Sequence, residues 1–519
     1  MPNKKALGIA VAAAMAALLV NCGGGGGSNS GSGSGPMPSA TGTPAPTLSQ
    51  TEDALRAHIQ VLASDDYGGR MPGTEGGRLT QSYIEDRLIE YGLEPAISTS
   101  SGMSFRQNVP LQGLEPTDLE VRAGGAIVSR DDAYIVRSPA GRLVFGDLPL
   151  VAIDSTGDIP SNMSGSIAVV LGNSNYPTLY QRALAANAAS VIVAFTDANR
   201  FAGIEIAIGR TRLLLDDGSS FGSDSLVFLG PTSTAELFNA LGLTQSTFST
   251  ATSPIGTGAV TTEMRFYRTE SANVVGRLPG SSSSAGAIMV MGHWDHLGGC
   301  GRSTNTDRIC NGAVDNASGI AAMLETIKRI AEGPDLARDV YFFATTAEES
   351  GLLGAVHFVR NSPVSLGSLR AVLNLDTVAI ADANQDISVI GWNRTPLDTS
   401  ITQAAQQNGR QIRVGSESED LLRRQDGWIF LNSGVPAVLV SSAFAGGQGI
   451  DAYFSSRYHR ANDELDSINL SGVASDIPVY ETLLRIWGDP GQLAASPGWE
   501  FDDTTVAASA DTDPLFHVH

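Results

Sequence analysis

The sequence predicts an α/β protein: a mixed, mostly parallel sheet flanked by helices, with a β-rich α/β segment inserted into it. Two observations carry this. Apolar runs of strand length at 287–291, 340–344, 369–375 and 437–441 alternate with helical periodicity, as a sheet with crossover helices requires. Beyond those runs stand His293, Asp295, Asp315, Glu348, Glu349, Asp376 and His459. Open α/β sheets gather ligands at the carboxyl ends of their strands, so these groups are expected at one edge.

In chain order, Lys4 and Lys5 precede an apolar stretch over 6–20 and then Asn21-Cys22. A charged start followed by an apolar run too short to span a bilayer comfortably reads as an export signal over 1–22. Leu19-Val20-Asn21-Cys22 resembles a bacterial lipoprotein cleavage site, which makes Cys22 the expected lipidation site. Residues 23–47 are Gly/Ser-rich and then Pro/Thr-rich, the composition of a flexible tether reaching about 25–30 Å. Gly23, rather than Asp, after the cysteine favours the outer membrane in Gram-negative sorting. The expected location is therefore the cell envelope, with membrane contact only through the lipid.

The remaining bulk properties exclude other partners. At 519 residues, with 42% hydrophobic and 17% charged residues, the chain has an ordinary globular composition. A formal charge of −21 argues against nucleic acid and against anionic lipid surfaces. Apart from Cys22, the cysteines are Cys300 and Cys310, ten positions apart. In an exported protein that pair reads as a disulfide, worth about 2–3 kcal/mol for so short a loop. The alternative, thiolate ligation of a metal, sits poorly with the oxygen and nitrogen groups nearby.

Residues 48–117 form the expected first part of the main domain. Leu55, Ile59 and Leu62 stripe one helix, while Tyr83 and Leu88 mark another, with a Gly-rich turn at 68–74 between them. Residues 118–262 change texture to short β-like runs, with strands expected at 167–171 and 191–195 around a helix at 180–189. This segment carries no metal-ligand cluster or nucleophile motif and reads as an inserted domain. The main domain resumes over 263–490 and includes a helix striped by Ile320, Met323, Leu324, Ile327 and Ile330. Residues 491–519 read as a polar, acidic tail whose His517 and His519 are expected to be simply exposed.

Taken singly, each candidate site residue has a bland reading: a solvated Glu pair, an Asp that caps a turn, a loop His. Together they match the needs of a two-metal hydrolase. Two divalent ions about 3.5–4 Å apart require a bridging carboxylate and further ligands on each ion. A separate carboxylate must also take a proton from water. Mixed His and carboxylate ligation favours zinc, with Mn or Co as alternatives.

The stretches GHWDHLG, DNASG, AEESG, NLD and YHRANDE, in that order, resemble the motifs of the co-catalytic two-zinc aminopeptidases. Aminopeptidase Y and glutamate carboxypeptidase belong to that family. The resemblance implies two zinc ions per chain, with His293 and Asp376 on one and Glu349 and His459 on the other. It implies Asp315 as the bridge, Glu348 as the general base, and a cis peptide bond after Asp315. Asp295 is expected to hydrogen-bond His293 from outside the ligand set, Asp463 to stand outside that set as well, and His296 to be no ligand. The insert resembles a protease-associated domain.

One departure stands out. Where relatives carry Ser-Asp-His before Gly-Ile-Pro-Ala, this chain has Gln425-Asp426-Gly427 before Gly434-Val435-Pro436-Ala437. The implied activity is removal of N-terminal residues from peptides. A carboxypeptidase or dipeptidase, a single-zinc cyclase and a non-catalytic binding protein on the same fold are the alternatives.

Overall fold

The computed structural model describes residues 46–502, except 154–158, 174, 209–210, 219–224, 249–253, 283, 301–305, 447 and 495–498. Cys22, the expected signal and nearly all of the linker lie outside the described residues, as do His517 and His519. Helix α1 (Leu48–Leu62) starts with a capping box in which Thr47 and Gln50 satisfy each other's amides. Its stripe of Leu55, Ile59 and Leu62 is buried, as the periodicity predicts. A turn then leads to α2 (Glu75–Glu90), capped by Thr74. Within that turn Gly69 has φ +66°, and a Cβ there would stand 2.4 Å from the Cys310 carbonyl oxygen. Only glycine brings the turn so close to the distant loop.

The strands that matter follow in order: β1 (Arg106–Ala123), β2 (Ala133–Arg137), β3 (Gly141–Ile153), β4 (Ile167–Leu171), β5 (Ser190–Ala194) and β6 (Ser225–Leu229). Next come β7 (Gly256–Leu278), β8 (Ala287–His293), β9 (Asp339–Thr345), β10 (Leu369–Asn374), β11 (Ser388–Ile390) and β12 (Ala437–Ser441). Their order across the sheet is β11-β12-β10-β8-β9-β7-β3-β4-β5-β6-β2, with β1 pairing β7 beside this path. Strands β12, β10, β8 and β9 are mutually parallel, and β11 and β7 flank them antiparallel. The parallel strands are covered on both faces, which is why they read as unbroken apolar runs.

Helix α4 (Gly319–Glu332) packs with α1 and with the last long helix, α8 (Leu470–Gly488), on one face. On the other face lie α5 (Leu353–Arg360) and α6 (Gly427–Leu431). Helix α7 (Gln448–Ser456) stands before His459. Residues 118–262 carry apolar clusters of their own, one of them around Val170, Val191 and Phe195.

Three expectations change. The insert's helix, α3, spans Tyr176–Ala185 and so begins earlier than the apolar pattern suggests, because Pro177 starts it. The domain joins expected at 117/118 and 262/263 fall inside strands. The β1–β7 ladder runs unbroken in pairing from Gly258↔Ala123 to Val274↔Arg106, save one bulge, and carries the sheet from the main domain into the insert. The tail is not wholly polar surface either: Trp499 and Phe501 pack on the apolar cluster beneath α6, with the Phe501 ring 5.5 Å from that of Trp428.

Helix α4 follows directly on the loop that carries Asp315, and its Ile327 is fully buried. Replacing Ile327 by Ala should cost about 2–4 kcal/mol in urea unfolding. A loss near zero would mean that this face is not the packed one.

Candidate metal centre

Each candidate residue reaches the site from the end of a strand or from the loop beyond it. His293 ends β8. Past β9, Ala347 turns the chain with φ 54° and sets Glu348 and Glu349 in a tight helical turn. Asp376 follows β10 and is succeeded by Thr377 at φ 55°, while His459 itself has φ 58°. Left-handed backbone at three non-glycine residues costs on the order of 1 kcal/mol each, and such backbone is concentrated where function fixes geometry. The peptide bond between Asp315 and Asn316 is cis. The Asn316 amide ties three loops together: Nδ2 donates to the carbonyls of His293 and Leu375, and Oδ1 accepts from Gly319 and Thr377 N–H. A Cβ at Gly319 would lie 2.1 Å from Asn316 Oδ1, so the D-N-A-S-G stretch must end in glycine.

The two oxygens of Asp315 face different partners. Oδ1 is 3.3 Å from His293 Nε2, which is itself 3.4 Å from Asp376 Oδ1. Oδ2 is 3.3 Å from His459 Nε2, which is 3.1 Å from Glu349 Oε2. Two triads have ligand atoms within 4.8 Å of one another: His293, Asp315 and Asp376, and His296, Asp315 and Glu349. They share Asp315. The structure therefore brings together all five residues that the sequence singles out as ligands.

It also adds one. His296 is fully buried with Nδ1 2.6 Å from Glu349 Oε1 and 3.8 Å from Asp315 Oδ2, although the sequence places it outside the ligand set. Spacing alone could not find it, because three residues along a loop need not face the same way.

The supporting shell differs in detail from expectation. His293 Nδ1 lies 3.1 Å from the Asp295 main-chain oxygen, whereas the Asp295 carboxylate stands 4.0 Å away. That carboxylate instead accepts the Glu348 N–H at 3.1 Å and so links the β8 loop to the β9 loop. Asp463 is buried and accepts from Val314 N–H, Asp315 N–H and the Tyr453 hydroxyl, fixing the backbone of the bridging residue. Cys300 and Cys310 are disulfide-bonded, with Cα atoms 5.6 Å apart.

The residue that sequence reasoning missed most plainly is Arg70. In the Gly-rich turn before α2, it is 1% exposed. Its guanidinium donates to the carbonyls of Leu62 and Trp294 at 2.9 Å, of Gly312 at 3.0 Å and of Asp315 at 3.3 Å, and also to Asn311. Burial lowers its pKa to about 10, against the pull of Asp315 and Asp295, and it stays charged at neutral pH. The only signal was an arginine amid glycines, which reads equally well as a surface turn.

Charge decides what the site can hold. Asp295, Asp315, Glu348, Glu349, Asp426 and Asp463 are buried and Asp376 nearly so, while Arg70 is the permanent cation that meets them. Burial raises Asp295 to about 7 and Asp426 to about 6, and it pushes Glu348 well above the usual carboxylate range. Burial and Glu349 act in the same direction on Asp315, yet the imidazoles of His296, His293 and His459 hold it below that range. Buried like charges of this kind persist where cations offset them. Oxygen and imidazole nitrogen donors, with one carboxylate shared by two triads, fit a pair of divalent metal ions. A cleft opens on the centre, and His293, Asp315, Glu348 and Asp376 are among the residues that line it.

Residues 273–475 match the family profile described as Peptidase family M28. Over 468 residues the chain is 22% identical to a Mycobacterium tuberculosis protein described as a probable lipoprotein aminopeptidase, LpqL, covering 82% of this chain and 84% of that one. An aminopeptidase of Pseudomonas aeruginosa is 24% identical over 458 residues, covering 83% and 77%. Among solved structures, an aminopeptidase from Aneurinibacillus sp. strain AM-1 superposes with TM-score 0.58 at 18% identity, over 87% of this chain and 98% of that one. A Bacillus subtilis zinc aminopeptidase gives TM-score 0.55 at 17% identity, over 83% and 94%. These two likenesses establish the shared fold.

His296→Ala should weaken divalent-cation binding about 10–100-fold, as losses next to a metal site commonly do. Metal titration of the purified protein reads this directly. An unchanged isotherm would return His296 to a purely structural place. Arg70→Met should lower both unfolding stability and cation affinity, since it uncouples five carbonyls from the loop that carries Asp315.

Proposed function

We propose that this protein is a zinc-dependent aminopeptidase that holds two zinc ions per chain and removes N-terminal residues from peptides. The observation that supports this most is the pair of triads sharing Asp315, with Glu348 beside them on the floor of one cleft. The names of its relatives as aminopeptidases, and of one fold neighbour as a zinc aminopeptidase, point the same way.

In this reading His293 and Asp376 would hold one ion and Glu349 and His459 the other, with Asp315 shared between them. When bound, zinc supplies Lewis-acid chemistry, making water acidic near neutral pH and polarising a carbonyl. Glu348 takes the proton from the attacking water on its carboxylate and returns it to the leaving amine. Its backbone is held by Asp295, so the carboxylate is aimed by the loop and not by a flexible stem. Buried carboxylates near Glu348 also give a substrate's free α-ammonium group a place to bind, which selects the N-terminus. Asp463 and Asp295 act by positioning Asp315 and Glu348.

The insert over 118–262 is proposed as a protease-associated domain, supported by its separate cores around β4 and β5. The N-terminal signal and Cys22 make this an exported lipoprotein of the cell envelope, in keeping with the lipoprotein name of one relative, and Gly23 supports the outer membrane. Among the described residues no helix is long and apolar enough to cross a membrane.

Dialysis against a strong chelator should abolish hydrolysis of aminoacyl anilides, and zinc should restore it with two equivalents per chain; full activity after verified metal removal would sink the reading. Glu348→Gln should keep its zinc and lose about two to four orders of magnitude in kcat, whereas Glu349→Gln should lose zinc. Swapped phenotypes would show that the two roles belong to the opposite residues.

A further inference from the structure

The cleft above the metal centre has a floor of acids and walls that are mostly apolar, with Ile390, Leu421, Leu439, Phe444 and Phe454 around it. Arg424 breaks that pattern. It lines the same cleft, just before α6, with its Cζ 5.8 Å from the centre of the Phe454 ring. Its Nε is buried without a hydrogen-bond partner, and no carboxylate among the described residues lies within ion-pairing distance of its guanidinium.

The neighbouring polar side chains are engaged or stand outside the cleft: Arg423, whose Nε also lacks a hydrogen-bond partner, does not line it. Arg423 stacks over Trp428 at 4.8 Å, and Arg394 pairs with Glu419 at 2.7 Å. Gln425 accepts from Asn374 Nδ2 at 2.8 Å and from Gly427 N–H at 2.7 Å, and it donates to the Leu422 carbonyl. Among the described residues that line the cleft, Arg424 is therefore the arginine whose guanidinium has no hydrogen-bonded or ion-paired partner. A guanidinium partly removed from water and lacking an acceptor loses hydrogen bonds unless a ligand supplies one, and its planar fork matches a carboxylate.

We propose that Arg424 is a specificity-determining residue that receives the side-chain carboxylate of an acidic N-terminal residue, glutamate or aspartate. This rests on the aminopeptidase reading above. The substrate's ammonium group would lie at the carboxylate floor, its methylenes against the apolar walls and its carboxylate at Arg424. A leucyl side chain fits the same walls but leaves the guanidinium unsatisfied. A site built to pair a polar group discriminates strongly against the analogue that lacks it.

The test compares α-glutamyl, α-aspartyl and leucyl anilides with wild-type, Arg424→Met and Arg424→Lys enzymes loaded with zinc. Anilides have no carboxyl terminus, so any effect of Arg424 on them belongs to the side chain. Arg424→Met should lower kcat/KM for the acidic anilides about 100-fold relative to the leucyl anilide, and Lys should recover part of that. Titration of zinc-loaded protein with free L-glutamate and L-leucine gives a readout that needs no turnover, and glutamate alone should lose affinity in Arg424→Met. Equal losses for acidic and leucyl ligands would overturn the proposal, as would an effect confined to dipeptides with a free carboxyl terminus. Hydrolysis only of N-blocked peptides would overturn the aminopeptidase reading instead, leaving the glutamate titration to judge Arg424.

Discussion

One buried guanidinium organises this protein's active edge. Arg70 sits between the end of α1 and the loops after β8, and it donates to five main-chain carbonyls from three separate stretches. Among these are the carbonyls of Trp294, next to His293, and of Asp315 itself. A side chain that satisfies carbonyls rather than carboxylates leaves the acidic groups available for other cations while still offsetting their field. The cost of burying it is large, and it is met by hydrogen bonds at nearly every donor. The helices preceding the sheet thus serve the site: they carry the residue that keeps the ligand loops in register.

Around that anchor the site is built by cross-linking loops rather than by rigid elements. Asn316 joins the β8, Asp315 and β10 loops, Asp295 joins the β8 loop to the β9 loop, and Asp463 clamps the amides of Val314 and Asp315. On the far side, Asn273 of β7 accepts from Thr346 N–H and donates to the Gly354 carbonyl, gripping the turn that contains Glu348. Each link is a buried, satisfied polar contact, so loosening one loop leaves unpaired groups in several others. A metal centre placed at loop ends gains from this the rigidity that the strands alone would not provide.

The strands of the main sheet were readable because burial on both faces writes them as unbroken apolar runs, and the ligands were readable because they follow those runs. The residues that support them were not. Arg70 resembles any arginine in a turn, and its role depends on carbonyls more than two hundred positions away. His296 needed the conformation of the loop, since nothing in spacing tells which way its ring points. The shared strand β7 escaped because its first half, rich in Thr and Gly, reads as part of the insert, and only the continuous ladder with β1 shows it belonging to both. Trp499 and Phe501 are too isolated to form a pattern, yet they pack against the core.

The departure at Gly427 is explained by its neighbour. The Gln425 side chain folds back so that its oxygen accepts from Gly427 N–H, and a Cβ at position 427 would stand 2.5 Å from that same oxygen. The glycine is thus the counterpart of the glutamine: the amide occupies the space into which a larger residue at 427 would project. Asp426, between them, is buried and accepts from the Thr345 hydroxyl at the end of β9. The Gln425 amide is thereby committed to Asn374 and the backbone. Of the residues lining the cleft in this segment, that leaves Arg424 as the one whose buried Nε has no hydrogen-bond partner among the described residues.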